Sequence, residues 1–276
     1  IIPFTRGPSR SRPLSDIVEQ VHRFVANGYA EVVLTGIHLG AWGEDLEGEG
    51  DLLTLLKAIV RETDLPRLRI SSIEPMQLND HLLDFWLSQE RISPFLHLSI
   101  QSGDDEILRR MRRRYTAGHC RQIVERFVQR KPESYVGFDL IVGFPGETEA
   151  HFGRTLHFLE NTPWAKLHAF PFSPRPLTAA ARYPDQVSSA IVKQRMDTLL
   201  AMSEERYCAF QSRHVGVTLP AIPIGNGESS IQRAVTDNYL TVYFREKESS
   251  CTPPIRLNIE EFRDGKLFGK IVAAGK

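Results

Sequence analysis

Polar or glycine residues follow four separate apolar segments of this chain, each at the point where a strand is predicted to end. The carboxyl ends of parallel strands meet at one edge of a barrel or sheet, where ligands and chemistry collect. Four polar ends at one edge therefore predict a common site for a polar small molecule, bound by side chains and backbone amides. The residues are Thr35 and Gly36, Ser72 and Glu74, Ser99 and Gln101, and Asp139 and Gly143.

The segment from 135 to 148 gives the clearest of these signals. It reads Tyr135-Val-Gly-Phe-Asp-Leu-Ile-Val-Gly-Phe-Pro-Gly-Glu-Thr148. An apolar run that ends in Gly-Phe-Pro-Gly predicts a buried parallel strand followed by a tight bend. Glu147 and Thr148 then open a helical pattern, and the first N–H groups of a helix are free to bind an anion or a ligand oxygen.

A dense cationic run lies between two predicted helices. It comprises Arg109-Arg-Met-Arg-Arg-Arg114 and is followed by Tyr115. Exposed arginines often only solvate a helix, but a run this dense is better suited to phosphate, which arginine binds through two parallel hydrogen bonds. Arg112 and Arg113 are therefore predicted RNA contacts, and one arginine of the run is also suited to hold the carboxylate of a small molecule.

Histidine and cysteine give no metal site by their spacing. His38, His97 and His168 lie on or just after strands, but no HxH or HExxH pattern connects them, which favours ordinary packed histidines over zinc ligands. The three cysteines, Cys120, Cys208 and Cys251, form no CxxC or CxxxCxxC pattern. The sequence therefore predicts neither an iron–sulfur cluster nor a disulfide framework held by this chain.

The elements that position these residues alternate between strand and helix. Strands are predicted at 31–35, 67–73, 95–100, 135–142 and 166–172, with helices starting near 15, 51, 80, 105, 117 and 149. This alternation predicts an α/β fold with a parallel barrel or a doubly wound sheet. A further strand is expected to precede Ile1, which makes six.

The pattern changes after a proline-rich boundary near residue 184. A charged helix is predicted over 187–213, and short alternating segments follow at 217–224, 230–235, 239–244, 256–259 and 266–272. They predict a small all-β barrel that interleaves basic and aromatic residues, as single-stranded RNA requires. Alternation also places aromatics in the core of any β-barrel, so composition alone leaves both readings open. The predicted RNA contacts of this module are Arg233, Tyr239 and Arg245.

Bulk composition excludes some classes of protein. The 276 residues have a formal net charge of zero, 41% hydrophobic and 25% charged residues, which is ordinary for a globular protein. No apolar stretch is long enough to span a bilayer, and the first residues lack the apolar core of a secretory signal. The sequence therefore predicts a cytoplasmic protein without a membrane partner.

Several runs match one family in order along the chain. The chain resembles the radical S-adenosylmethionine (SAM) methylthiotransferases, and is most similar to the tRNA branch that acts on N6-threonylcarbamoyladenosine. The Thr-Gly-Ile-His-Leu-Gly run favours this branch over the isopentenyladenosine and ribosomal-protein branches. The matching runs are Ile1–Gly7 with Arg10-Ser-Arg12, Leu34–Gly40, Ser71–Pro75, His97–Gly103 with Met111–Tyr115, Asp139–Thr148 and Leu167–Pro176.

The resemblance implies an architecture and a reaction. It implies a partial (β/α)6 radical SAM barrel over 1–186, a linking helix over 187–213, and a TRAM RNA-binding β-barrel over 214–276. The cofactors would be SAM and two [4Fe–4S] clusters, reduced by an electron donor. Reductive cleavage of SAM would yield a deoxyadenosyl radical, and a methylthio group would be added to C2 of an adenosine next to the anticodon, so the partner would be the anticodon stem-loop of tRNA.

The resemblance also suggests roles for residues at matching positions. Thr35 and Gly36 match the strand-end motif that receives the amino-acid end of SAM, and Arg114 is a candidate partner for its carboxylate. Further polar contacts to methionine or ribose are expected from Glu74, Ser99 and Gln101. Backbone contacts to adenine are expected from Ile141, Val142 and Gly143. No residue is assigned a catalytic role.

Two departures from the family pattern bear on activity. The family's CxxxCxxC motif lies immediately before the position that matches Ile1, so neither cluster is expected to be ligated by this chain, and the chain alone is expected to be inactive. Leu177 stands where the family has glycine in a Pro-Gly-Thr run. The alternatives to a tRNA methylthiotransferase are a ribosomal-protein aspartate methylthiotransferase and a non-catalytic RNA-binding fragment.

Overall fold

Five parallel strands and six helices alternate in the first two-thirds of the chain. The computed structural model describes residues 5–225, 231–245 and 253–272. The elements, in order, are α1 Leu14–Ala26, β1 Glu31–Leu34, α2 Leu52–Glu62, β2 Arg67–Ile70, α3 Asp80–Ser88, β3 Phe95–Gln101, α4 Asp105–Arg110, α5 Ala117–Arg130, β4 Tyr135–Val142, α6 Glu149–Glu160 and β5 Lys166–Pro171.

Strand order distinguishes a barrel from a doubly wound sheet. β1 pairs with β2, β3 pairs with β4, and β4 pairs with β5, all parallel. Parallel bridges from Leu68 to Ile92 and from Ile73 to Leu98 join the two sheets. The strands thus lie side by side in chain order, as in a barrel, whereas a doubly wound sheet reverses its order at a switch point. The α/β class and the partial barrel predicted from the sequence are confirmed.

The two faces of the barrel differ in polarity because side chains alternate along each strand. Leu96, Leu98 and Ile100 of β3 are fully buried against the helices. His97 and Ser99 lie on the opposite, concave face and are half-buried. The concave face is therefore polar in its middle, where the inner layers of a packed barrel are usually branched apolar residues.

A second, smaller barrel follows a long helix. The helix is α7, Ser189–Ser212, and Ser203 Oγ lies 3.0 Å from both the backbone nitrogen and the carbonyl oxygen of Leu167. The strands of this closed barrel are β6 Thr218–Ile224, β7 Gln232–Thr236, β8 Thr241–Phe244, β9 Ile255–Arg263 and β10 Lys266–Ile271. Their order is β10-β8-β7-β6-β9, and the barrel has its own apolar core.

The small barrel contacts the amino ends of the parallel strands. Arg69, which is 2% exposed, donates hydrogen bonds to the carbonyl oxygens of Thr236 and Asp237 at 3.1 and 3.0 Å. Arg67 donates to the carbonyl of Val235 at 2.9 Å, and Glu31 forms ion pairs with both arginines. The small barrel therefore covers the end of the parallel barrel opposite the predicted site.

Some predicted features differ from the structure or lie outside the described residues. The strand predicted over 67–73 ends at Ile70, because the chain then leaves β1 and returns to the sheet only through the single bridge from Ile73 to Leu98. Ser230, the first residue of the strand predicted over 230–235, and Cys251 are outside the described residues. In the part of the chain that is described, no helix is long and apolar enough to cross a bilayer. The predicted divisions at 186 and 213 stay predictions.

Candidate functional site

The carboxyl end of β1 opens into a groove of about 640 Å³. Pockets of this size are typical of small-molecule sites. Three residues predicted from strand-end logic, Thr35, Gly36 and Glu74, line this one groove. Its full lining comprises Arg6, Gly7, Pro8, Ser9, Arg10, Ser11, Thr35, Gly36, Ile37, His38, Leu39, Trp42 and Glu74.

Hydrogen bonds hold the amino-terminal segment against the loop that follows β1. The backbone nitrogen of Ser11 donates to Asp45 Oδ2 at 2.8 Å, and its hydroxyl accepts from the backbone of Gly43 at 3.0 Å. Trp42 Nε1 donates to the carbonyl of Arg12 at 3.0 Å. The hydrogen bonds from Ser11 also hold the pKa of Asp45 below its usual value. These contacts fix one wall of the groove.

An ion pair closes the polar end of the groove. Arg113 Nη1 lies 2.8 Å from Glu74 Oε1, and both side chains are 27% exposed. Arg112, which precedes it, has a φ of 59°, so the chain turns sharply after α4. Arg112 and Arg114 are exposed. The structure thus places Arg113, which the sequence analysis assigned to RNA, beside Glu74, while Arg114, the predicted carboxylate partner, points to solvent.

The end of β3 carries the next pair of predicted residues. Ser99 Oγ donates to Asp139 Oδ2 at 3.0 Å, so this hydroxyl is anchored to the neighbouring strand. Gln101 has a φ of 66°, and the register with β4 shifts between Leu98 and Gln101. A left-handed conformation is costly for glutamine and such strain is concentrated at functional sites. The structure therefore gives Gln101 an unusual backbone at the mouth of the barrel.

A buried ion pair between Glu147 and Arg195 contacts the backbone of Gly143. Its backbone N–H donates to Glu147 Oε2 at 2.7 Å, and Arg195 Nη1 contacts the same oxygen at 2.8 Å. Burial raises the pKa of Glu147, although Arg195 and the bond from Gly143 oppose that effect. Val142 is 2% exposed against the helices, whereas Ile141 is half-buried on the concave face. Among the three predicted adenine contacts, Ile141 alone has its side chain toward the barrel interior. The N–H of Gly143 already donates its hydrogen bond to Glu147.

Leu177 adopts the conformation for which the family's glycine is suited. Its φ is 71° and it is 77% exposed. The left-handed conformation costs a leucine roughly 1–2 kcal/mol, whereas glycine adopts it freely. The backbone of this loop therefore keeps a glycine-like turn despite the substitution.

The predicted RNA contacts of the small barrel separate into two groups. Arg233 and Arg245 are exposed. Tyr239 instead lies at the junction with the parallel barrel, where the Arg69 guanidinium is 4.9 Å from its ring centre and the Phe95 ring is also 4.9 Å away. Tyr239 remains 48% exposed. Its contacts indicate a packing role at this junction, so RNA contact by Tyr239 stays a prediction.

Two features were not predicted from the sequence. The first is the junction made by Glu31, Arg67 and Arg69. The sequence feature that could have predicted it is the alternation of two arginines with apolar residues in a buried strand. The second is a polar cluster in which nitrogen atoms of His97 and His168 lie 3.0 and 3.5 Å from Asp139 Oδ1. The spacing in the sequence places both histidines on strands but does not connect them to each other or to the aspartate. His38, the third histidine, lies apart and contacts Gln77 at 2.5 Å.

A comparison with known families agrees with the barrel. The profile of the radical SAM superfamily matches residues 2–159, which is more than half of the chain. Coproporphyrinogen III oxidase HemN of Escherichia coli, described as a radical SAM enzyme, superposes with a TM-score of 0.52 at 15% identity, covering 95% of this chain and 64% of that one. That similarity supports the fold alone. The chain belongs to the radical SAM superfamily.

The curated proteins similar to this chain include tRNA methylthiotransferases. Threonylcarbamoyladenosine tRNA methylthiotransferase MtaB of Bacillus subtilis is 35% identical over 263 residues, covering 94% of this chain and 58% of that protein. The tRNA-2-methylthio-N(6)-dimethylallyladenosine synthase of Erythrobacter litoralis is 36% identical, covering 99% of this chain and 61% of that protein. The family resemblance drawn from the sequence is thereby confirmed. The chain spans about three-fifths of these relatives.

Proposed function

We propose that this chain provides the SAM-binding barrel and an RNA-binding module of a tRNA methylthiotransferase whose substrate is N6-threonylcarbamoyladenosine. The observation that carries the proposal is the groove in which Thr35, Gly36 and Glu74 lie together with the arginine-containing segment 6–11. Relatives named as tRNA methylthiotransferases support the reaction class.

The groove fits the polar groups of SAM. The Glu74 carboxylate suits the ammonium group of the cofactor, and Arg113 beside it suits the carboxylate, because a guanidinium binds carboxylate through two hydrogen bonds. Thr35 and Gly36 offer backbone groups at the same edge. When bound, SAM supplies the one-electron chemistry, while these residues hold and orient it.

The described residues do not fit an iron–sulfur cluster. Cys120 lies in the apolar core, and burial raises the pKa of its thiol to about 12, which disfavours the thiolate that binds iron. Cys208 is a free thiol on α7. Within the described ranges, no group of three possible metal ligands contains a cysteine. We therefore propose that cluster ligands come from outside these residues and that the described part of the chain does not hold a cluster.

The small barrel offers a surface for a single-stranded part of tRNA. Tyr243 lies opposite Arg233 on β7 and opposite Phe268 on β10, and the two rings are 5.8 Å apart. Lys266 Nζ lies 5.7 Å from the ring centre of Tyr243, and the Arg263 guanidinium lies 5.0 Å from that of Phe268. Adjacent rings flanked by cations provide stacking for bases and charge for phosphates.

The polarity of the concave face favours the threonylcarbamoyl substrate over the dimethylallyl one. Relatives of both kinds have similar identity, 35% and 36%, so similarity alone does not separate them. The threonylcarbamoyl group carries a carboxylate and a hydroxyl, whereas the dimethylallyl group is apolar. Ser99, Asp139 and His168 make the concave face polar. A carboxylate or hydroxyl of the substrate can hydrogen-bond to such side chains, whereas an apolar substituent cannot.

A segment exchange tests this proposal. The 263-residue segment of the Bacillus subtilis relative is replaced by the matching part of this chain in a strain that lacks its own enzyme. We expect nucleoside mass spectrometry to show 2-methylthio-N6-threonylcarbamoyladenosine in its tRNA. A Glu74→Gln chimaera should lose it, and an exposed Glu160→Gln chimaera should keep it at equal protein abundance. Methylthiolated dimethylallyladenosine alone, or no modified nucleoside from an abundant chimaera, would contradict the proposal.

A further inference from the structure

Three potential metal ligands come together on the concave face of the parallel barrel. They belong to three adjacent strands, with His97 on β3, Asp139 on β4 and His168 on β5. Asp139 and His168 are register partners, and His97 is the partner of Gly137, two residues before Asp139. Because side chains alternate along each strand, all three point to the same side of the sheet.

Two distances within this cluster are close to those between neighbouring ligands of a metal ion. His97 Nε2 lies 3.0 Å and His168 Nδ1 lies 3.5 Å from the same oxygen, Asp139 Oδ1, and all three ligand atoms are within 4.8 Å of one another. Zinc bonds of about 2.0–2.1 Å at tetrahedral angles separate neighbouring ligand atoms by about 3.3 Å. We propose that His97, Asp139 and His168 bind a divalent transition-metal ion such as Zn²⁺, with a fourth position open to the barrel interior.

Surrounding groups orient the ligands. Ser99 Oγ donates to Asp139 Oδ2 at 3.0 Å, which leaves Oδ1 directed at the two imidazoles. Hydrogen bonds of this kind to a ligating carboxylate fix its orientation in metal sites. The His168 side chain is 49% exposed, so solvent or substrate can reach the fourth position. A hydrogen bond to Asp139 Oδ1 explains the position of His97. It does not explain why His168 also approaches the same oxygen.

This site goes beyond the proposed function. Within the described residues it is the one group of three histidine, cysteine or acidic side chains with ligand atoms this close, and it contains no cysteine. Its ion would be separate from any iron–sulfur cluster. Because metal binding is measured without tRNA, SAM or methylthiolation, its failure would leave the proposed function untouched.

Titration of the chelator-treated chain with Zn²⁺ and Co²⁺ tests the site. We expect calorimetry to show one Zn²⁺ per chain, and Co²⁺ to give visible d–d absorption without a sulfur-to-cobalt charge-transfer band. His97→Gln, Asp139→Asn and His168→Gln should each weaken Zn²⁺ binding at least about tenfold, and Ser99→Ala about tenfold. His157→Gln, at an exposed helical histidine, is the matched control and should bind as the parent does.

Three results would overturn the proposal. One is the absence of stoichiometric Zn²⁺ binding by a chain whose circular dichroism shows it folded. Another is a Co²⁺ spectrum with a thiolate band that disappears in Cys208→Ser. The third is Zn²⁺ affinity unchanged in the folded His97→Gln and His168→Gln variants. Because the parent chain alone decides the first, a variant that fails to fold leaves the test intact.

Discussion

Replacing Arg69 by methionine tests the junction between the two barrels. Methionine keeps an unbranched apolar chain of similar length but removes every guanidinium contact. Arg69 Nε and Nη2 contact the two carboxylate oxygens of Glu31 at 2.8 and 3.2 Å, and Nη1 and Nη2 donate to the carbonyls of Asp237 and Thr236. The guanidinium also lies 4.9 Å from the ring centre of Tyr239.

The expected loss follows from what the variant leaves behind. Glu31 keeps Arg67 as a partner, so its charge is not left alone. The carbonyls of Thr236 and Asp237 lose a charged donor, and each such hydrogen bond is worth about 1.5–3 kcal/mol. Breaking a buried ion pair costs about 3–5 kcal/mol, which sets the scale of the whole effect. We therefore expect Arg69→Met to destabilise the junction by about 3–5 kcal/mol.

Calorimetric unfolding measures this loss. For a chain of this size, about 3–5 kcal/mol corresponds to a midpoint lower by about 6–20 °C. We also expect the small barrel to unfold separately from the parallel barrel. Arg23→Met is the matched control, because Arg23 is 71% exposed and pairs only with Glu19 on its own helix in the described structure, a contact worth less than about 0.5 kcal/mol. If Arg69→Met unfolds within 2 °C of Arg23→Met, the junction does not hold the barrels together as described.

Four further predictions concern the site and its supports. Gly143→Ala should lose about 2–4 kcal/mol of unfolding free energy, because its φ is 78° and a Cβ would meet Val192 Cγ2 of α7 at 2.4 Å. The matched Gly153→Ala, in an open stretch of α6, should gain about 0.5–1 kcal/mol. Equal free energies of urea unfolding for the two variants would refute this prediction. Arg195→Met should destabilise more at pH 7 than at pH 5. The pKa of Glu147 is already raised, so the native state binds its proton more tightly than the unfolded chain and stability falls as pH rises through that range. Without the guanidinium the pKa of Glu147 rises further, so the loss of stability with rising pH becomes larger. If urea unfolding gives the same difference in free energy between parent and variant at pH 5 and pH 7, the prediction is wrong. Tyr243→Ala should weaken binding of a single-stranded RNA by about 5–150-fold in fluorescence anisotropy while leaving the salt dependence unchanged, and an unchanged affinity would exclude stacking on this ring. Anaerobic reconstitution of this chain should give no stoichiometric iron and sulfide, and one cluster per chain would show that it holds cluster ligands after all.

Much of the fold followed from sequence periodicity because the parallel strands are short segments rich in apolar residues and bounded by turns. β4 was predicted over 135–142, and the structure has Tyr135–Val142. The predicted end of β2 was wrong. The strand ends where its pairing with β1 ends, and the local sequence pattern carries no information on that pairing. Alternation could not tell the parallel barrel from a doubly wound sheet, since strand order depends on contacts between elements far apart in the chain.

The site was predicted in part for the same reason. Thr35, Gly36 and Glu74 line one groove because strand ends converge by geometry, which the sequence pattern carries. Which of two adjacent arginines reaches Glu74 depends on the left-handed turn at Arg112, which nothing in an arginine run indicates. The position of Tyr239 between the barrels likewise depends on how the two barrels dock.

Binding of radiolabelled SAM by equilibrium dialysis tests most directly whether the strand-end groove is the cofactor site. We predict saturable binding of one SAM per chain, weakened about 10–150-fold by Glu74→Gln, which removes a charged hydrogen-bond acceptor. Glu160→Gln should leave the affinity unchanged. Absence of saturable binding to the folded chain, or equal affinity of Glu74→Gln and the parent, would contradict the assignment of this groove to SAM.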